Sequence, residues 1–164
     1  MGNGYLHLLC GKMASGKSTL ASELGQRESG LFIAEDDLLT TLYPNEVQQV
    51  SDYLDRSARI KNVIRPIIVS LLRQGACLIM DFPANTPGQR TWLLDIAQEA
   101  DVAHTLHYLE CPDSLCLTRL EFRRSSGSPP RSTDTPAMFH AMTKFFDPPS
   151  VEEGFSITVH RQSE

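Results

Sequence analysis

The sequence predicts a three-layer α/β fold: a central, mostly parallel five-stranded sheet with helices on both faces. Three observations carry this. Apolar runs of strand length recur along the chain, segments with helical spacing lie between them, and the runs are nearly continuous in hydrophobicity. Alternating strands and helices build βαβ units with parallel strands. A parallel strand covered on both faces needs apolar side chains on both.

The elements follow in chain order. Tyr5–Cys10 is the first strand, and Thr19–Leu24 opens the helix after it. Leu31–Ala34 is the second strand. From Glu46 to Gln74, Val47, Val50, Leu54, Ile64, Ile67, Ile68, Leu71 and Leu72 recur at roughly helical spacing. Pro66 lies inside that segment and is expected to kink or split it. Ala76–Met80 is the third strand. Thr86 and Pro87 form a cap and first-turn proline, and the helix they start places Trp92, Leu93, Ile96 and Ala97 on one face. Thr105–Leu109 is the fourth strand. Thr135 and Pro136 repeat the helix-start device before "AMFHAMTKFF". The preceding stretch "SSGSPPRSTD" is read as a loop or as a mobile lid. Phe155–Val159 is the fifth strand.

Length and charge narrow the function. The 164 residues suit one domain spanning 1–164, with a lid element around 119–135. Hydrophobic residues are 41% and charged residues 21%, enough apolar material for one core. The net charge is −5, and the only basic cluster is Arg119, Arg123, Arg124 and Arg131. This is a poor footprint for a long polyanion and argues against a nucleic-acid partner. Cys10, Cys77, Cys111 and Cys116 show no Cys-x-x-Cys spacing and read as reduced, structural thiols. "MGNGYLHLLCG" has neither the basic region nor the apolar core of a signal peptide. Gly2 does not start a myristoylation motif, because Leu6 stands where Ser or Thr is needed. No apolar run approaches the ~18 residues of a membrane span. A cytoplasmic location without membrane partners is the expectation.

The chemistry is concentrated at Gly11-Lys12-Met13-Ala14-Ser15-Gly16-Lys17-Ser18, which fits G-x-x-x-x-G-K-[ST] in full, with Thr19 following. It lies between a strand and a helix, the context the motif requires. Its glycines let backbone N–H groups turn inward around an anion, and the helix presents free N–H groups and its positive dipole end. Lys17 reaches the β- and γ-phosphates, and the Ser18 hydroxyl suits Mg²⁺. These residues imply binding of a nucleoside triphosphate, with ATP and Mg²⁺ as the expected cofactors.

Other charged residues sit beside the same sheet edge. "IAEDDLL" places Asp36 just past the second strand, where a carboxylate can accept the proton of an attacking hydroxyl. Helix capping is the competing role for Asp36 and Asp37. Asp81 ends the third strand, suited to the Mg²⁺ shell or to a turn. Asn85 and Arg90 follow, as substrate contacts or as residues closing the turn. Arg119 and Arg123, at i and i+4, either clamp transferred phosphoryl charge or form a solvated face. His7, His104, His107, His140 and His160 lack metal-binding spacing, and no metal besides Mg²⁺ is expected.

"CGKMASGKST", "IAEDDLL", "LIMDFPANTPGQRTW", "TRLEFRR" and "FDPPSVEEGF" occur in the order found in small P-loop kinases. The chain resembles the group containing polynucleotide 5′-kinases, chloramphenicol phosphotransferase and the zeta toxins, with an AAA-type ATP-binding domain. The resemblance runs from about Tyr5 to Phe155. It implies a P-loop NTPase fold and phosphate and Mg²⁺ roles for Lys17 and Ser18. It also implies a general base at Asp36, the strand-ending acid at Asp81, and lid arginines at Arg119 and Arg123. Phe146–Phe155 corresponds to a segment near the adenine. Polynucleotide kinases carry Arg three residues after the base; here that position is Leu39. The expected reaction is therefore ATP-dependent phosphoryl transfer to a hydroxyl of a small molecule. A nucleotide-dependent regulatory ATPase, a nucleic-acid 5′-hydroxyl kinase, and a nucleotide, shikimate or gluconate kinase are its rivals. No guanine-reading Asn-Lys-x-Asp stretch occurs. Antibiotic, nucleoside and sugar acceptors all remain open.

Overall fold

The computed structural model describes residues 4–127 and 134–163. Five strands form one parallel sheet: β1 (Tyr5–Gly11), β2 (Leu31–Ala34), β3 (Cys77–Asp81), β4 (Ala103–Glu110) and β5 (Ile157–Arg161). Their order is β2-β3-β1-β4-β5, so the chain crosses over at β1. Among the described residues, six α-helices connect them: α1 (Lys17–Glu28), α2 (Glu35–Leu42), α3 (Val50–Arg73), α4 (Pro87–Ala100), α5 (Asp113–Ser125) and α6 (Pro136–Thr143).

Strand alternation sorts the core into two layers. Leu6, Leu8 and Cys10 of β1 point to one face and pack with Ile60, Ile68, Val69 and Leu72 of α3 and Leu93, Ile96 and Ala97 of α4. Leu9 points to the other face and packs with Ala21 and Leu24 of α1 and Ile79 of β3. The expected sheet with helices on both faces is present, and every strand pair is parallel.

The boundaries differ from expectation where polar groups decide them. The long helix begins at Val50 rather than near Glu46, because Gln49 and Asp52 close a capping box there. It runs unbroken through Pro66, since buried residues on both sides of the proline pack into the same core. The fifth strand is shifted to Ile157–Arg161. Phe155 instead sits edge-on to His104, outside the ladder. Thr86 and Gln89 form a capping box at the start of α4. Thr135 Oγ1 accepts the Met138 N–H at 3.1 Å at the start of α6. Residues 128–133 of the expected lid, Arg131 among them, and Gly2 lie outside the described residues. Among the described residues, no helix is long and apolar enough to cross a membrane.

Candidate active site

The loop from Gly11 to Ser18 is held in shape by its own backbone and by its neighbours. The Ser15 N–H bonds to the Lys12 carbonyl at 3.1 Å, turning the chain. Ala14 (φ 60°) and Gly16 (φ 102°) adopt left-handed conformations. A Cβ on Gly11 would meet Ser15 Oγ at 2.5 Å and the Leu109 carbonyl oxygen at 3.2 Å, so a side chain there would force its neighbours to shift. Helix α1 begins at Lys17 with no side chain capping it, which leaves its first-turn amides available to an anion. Ser15 Oγ is buried with no hydrogen-bond partner among the described residues. These features fit a phosphate-binding cradle.

Cations and tethers converge on this loop. Lys17 Nζ donates to the Gly11 carbonyl at 2.8 Å and to the Lys12 carbonyl at 3.4 Å. Arg119 Nη1, from α5, donates to the Ala14 carbonyl at 3.3 Å. Gln162 Nε2, just past β5, donates to the Ser15 carbonyl at 2.6 Å. Lys12 Nζ donates to the Cys111 carbonyl at 3.2 Å and pairs with Asp113. Beneath the loop, Ala14 packs with Cys111, Cys116, Leu120 and Phe139, fastening it to α5 and α6.

The strand order sets the rest of the edge. β3 lies between β1 and β2, so Asp81 stands between the cradle and α2. Asp81 is in register with Ala34, the residue before α2, and Asp36 is exposed in the first turn of that helix. The C-terminal ends of three adjacent strands therefore carry the cradle, Asp81 and Asp36 side by side. Ser18 and Thr19 are exposed in the first turn of α1.

One expectation is corrected. Arg90 is fully buried rather than facing a substrate. Its guanidinium donates to Glu153 at 2.7 and 2.9 Å, to the Ala84 carbonyl at 2.9 Å and to the Asp147 carbonyl at 2.7 Å. It locks α4 to the segment entering β5, and Phe146–Phe155 is accordingly tied to α4 and the Asn85 loop. Arg123 follows Arg119 by four residues on α5. It is half exposed, and its ion-pair contact is with Asp134 at 3.9 Å. Asn85 is half-buried, its backbone bonded to Gln89 Oε1 at 2.9 Å and to the Asp147 N–H at 2.8 Å.

Sequence reasoning missed Gln162, which lies 147 positions from its partner with no motif around it. It also missed the buried Glu35, which accepts hydrogen bonds from Tyr53 Oη at 2.9 Å and Ser57 Oγ at 2.5 Å. Polar residues at i and i+4 on an otherwise apolar helix face were the available signal. Cys10 contributes no nucleophile: burial pushes its thiol up to about 11, and it donates to the Ala84 carbonyl at 3.2 Å.

A family described as an AAA domain matches residues 6–149. Among solved structures, a candidate kinase from Chloroflexus aurantiacus is similar over 98% of this chain and 86% of its own, at TM-score 0.74 and 16% identity. A sugar kinase from Janibacter sp. matches over 98% and 86%, at TM-score 0.62 and 14% identity. The APS kinase CysC of Mycobacterium tuberculosis, solved with AMPPNP and APS, matches over 78% and 75%, at TM-score 0.57 and 16% identity. No curated protein matches.

Proposed function

From the premise that this chain belongs to the AAA domain family and has the fold of P-loop kinases, we propose that it is an ATP-dependent kinase transferring the γ-phosphoryl group to a hydroxyl of a small molecule. The observation that carries this is the convergence on one loop of an uncapped helix N-terminus, Lys17 and Arg119. Such an arrangement concentrates positive potential where phosphoryl oxygens gain charge.

The residues divide the work. The loop amides and Lys17 hold the triphosphate tail. Arg119 stands by on the α5 side of the loop, positioned to neutralise charge on the transferred group. Asp36, at the neighbouring strand end, accepts the acceptor hydroxyl's proton as its oxygen attacks the γ-phosphorus, while the bond from that phosphorus to the bridging oxygen breaks and ADP leaves. The Ser18 hydroxyl and Asp81 carboxylate are oxygen donors of the type Mg²⁺ prefers. Bound there, Mg²⁺ would offset charge on the phosphate oxygens.

A small acceptor is favoured over a nucleic-acid end. The position three residues after Asp36 is Leu39, buried in the main core, so it offers no cation to a phosphodiester. The deciding experiment incubates the protein with γ-labelled ATP and chloramphenicol, adenosine, gluconate, shikimate and a 5′-hydroxyl oligonucleotide. Label on one of the small molecules is expected. Hydrolysis alone, or label on the oligonucleotide, would refute the reading. Asp36→Asn should lower transfer ~10²–10⁴-fold while Mg·ATP still binds.

A further inference from the structure

Glu35 is a carboxylate with 1% exposure, next to the proposed base yet turned away from it into the protein. Burying a carboxylate is costly unless strong donors meet it. Both of its oxygens are met. Tyr53 Oη donates to Oε2 at 2.9 Å, and Ser57 Oγ donates to Oε1 at 2.5 Å. Ser57 is itself buried, with 4% exposure. Both donors stand on α3, four residues apart and so on one face, whereas the carboxylate belongs to the first residue of α2. Burial and the Glu35 carboxylate push the Tyr53 phenol well up, so it stays protonated as a donor. Asp36 adds to that upward push, which places its charge within electrostatic reach of the same hydroxyl.

We propose that Glu35, Tyr53 and Ser57 are positioning residues that fix the first turn of α2, and with it the Asp36 carboxylate, against α3. The inference rests on the reading of Asp36 as the base. Helix α2 has only eight residues, and no side chain caps its N-terminus. A helix so short has little stability of its own. Leu39 holds its second turn in the main core, and the end of β2 and this two-point anchor hold its first turn. Glu35 and Asp36 are adjacent, so a shift that frees one carboxylate moves the other. A misplacement of about 1 Å at a reacting group can cost ~10²-fold in rate. The anchor also leaves the cradle untouched, since its members belong to neither the loop nor α1.

The test uses water as the acceptor, through steady-state hydrolysis of Mg·ATP, so it needs no knowledge of the physiological acceptor. The double variant Tyr53→Phe/Ser57→Ala keeps both side-chain shapes nearly intact and removes both donors. The expected result is a fall in kcat of about tenfold to a hundredfold, with KM for Mg·ATP unchanged. Hydrogen exchange should quicken in the amides of α2 and not in those of α1 or α4. A second double variant, Tyr53→Phe/Ser57→Thr, keeps one hydroxyl and should recover most of the rate. Asp36→Asn is run beside them. If Asp36→Asn is slow but the first double variant keeps its rate within twofold, the positioning role is wrong and the base stands. If exchange rises equally throughout the chain, the anchor serves only global stability and the inference fails. If Asp36→Asn hydrolyses at the parental rate, the base itself is refuted, and the inference falls with it.

Discussion

Replacing Glu153 with Gln should destabilise the protein sharply. The Arg90 guanidinium is fully buried, and among the described residues Glu153 supplies its carboxylate hydrogen bonds, at 2.7 and 2.9 Å. Gln is nearly isosteric but removes the negative charge and turns an amide N–H₂ toward other donors. The Ala84 and Asp147 carbonyls remain as partners, but neither carries a charge. Breaking one side of a buried ion pair typically costs about 3–5 kcal/mol. The surviving carbonyl bonds set the expectation at the lower end, about 3 kcal/mol. That is a large share of the roughly 5–15 kcal/mol that holds a domain folded. Urea unfolding followed by fluorescence of Trp92, the only tryptophan, reads it directly. The midpoint should fall while the slope stays the same. The pair also predicts a pH dependence. The Arg90 hydrogen bonds hold the Glu153 carboxyl below its ordinary value, so its stabilisation is full above the usual carboxylate range and fades as pH falls through the lowered value. Glu153→Gln should remove that part of the acid sensitivity. A loss under about 1 kcal/mol, well short of the cost of a broken buried pair, or a variant fully stable but with weakened acceptor KM, would refute the structural role and return Arg90 to the substrate.

Three further outcomes follow from the same geometry. Lys17→Ala should lower Mg·ATP affinity by at least about tenfold in calorimetry with the urea midpoint little changed, because a charged hydrogen bond is worth about 1.5–3 kcal/mol. His107 hydrogen-bonds to His7 and to His160, each at 2.9 Å, and burial followed by its histidine neighbours lowers it to about 4. Its contribution is complete above about pH 6.5 and is lost as pH falls toward 4, so about 2 kcal/mol should disappear by about pH 5 in urea titrations, and His107→Gln should flatten that decline. Pro66 is exposed within α3, and Pro66→Ala should raise stability by up to about 3 kcal/mol through a restored backbone hydrogen bond, read as a higher melting temperature.

The sequence by itself determined the parts of this protein whose physics is local. The Gly11–Ser18 loop was legible because its glycines act within one strand–loop–helix unit, and the residue types state the backbone conformation they need. The helix starts at Thr86 and Thr135 were legible for the same reason: a cap and a first-turn proline are read within a few positions. The parallel sheet followed from apolar runs that are nearly continuous and are separated by helical segments. Tertiary structure alone decided which charges face inward. Arg90 and Arg119 look alike as letters, yet one is sealed against Glu153 and the other reaches the Ala14 carbonyl. Glu35 and Asp36 are neighbours in the chain with opposite fates, one clamped by Tyr53 and Ser57 and the other at the open strand edge. Gln162 joins the cradle from the far end of the chain. Desolvation and long-range hydrogen bonding depend on what packs alongside, and no window of sequence contains that information.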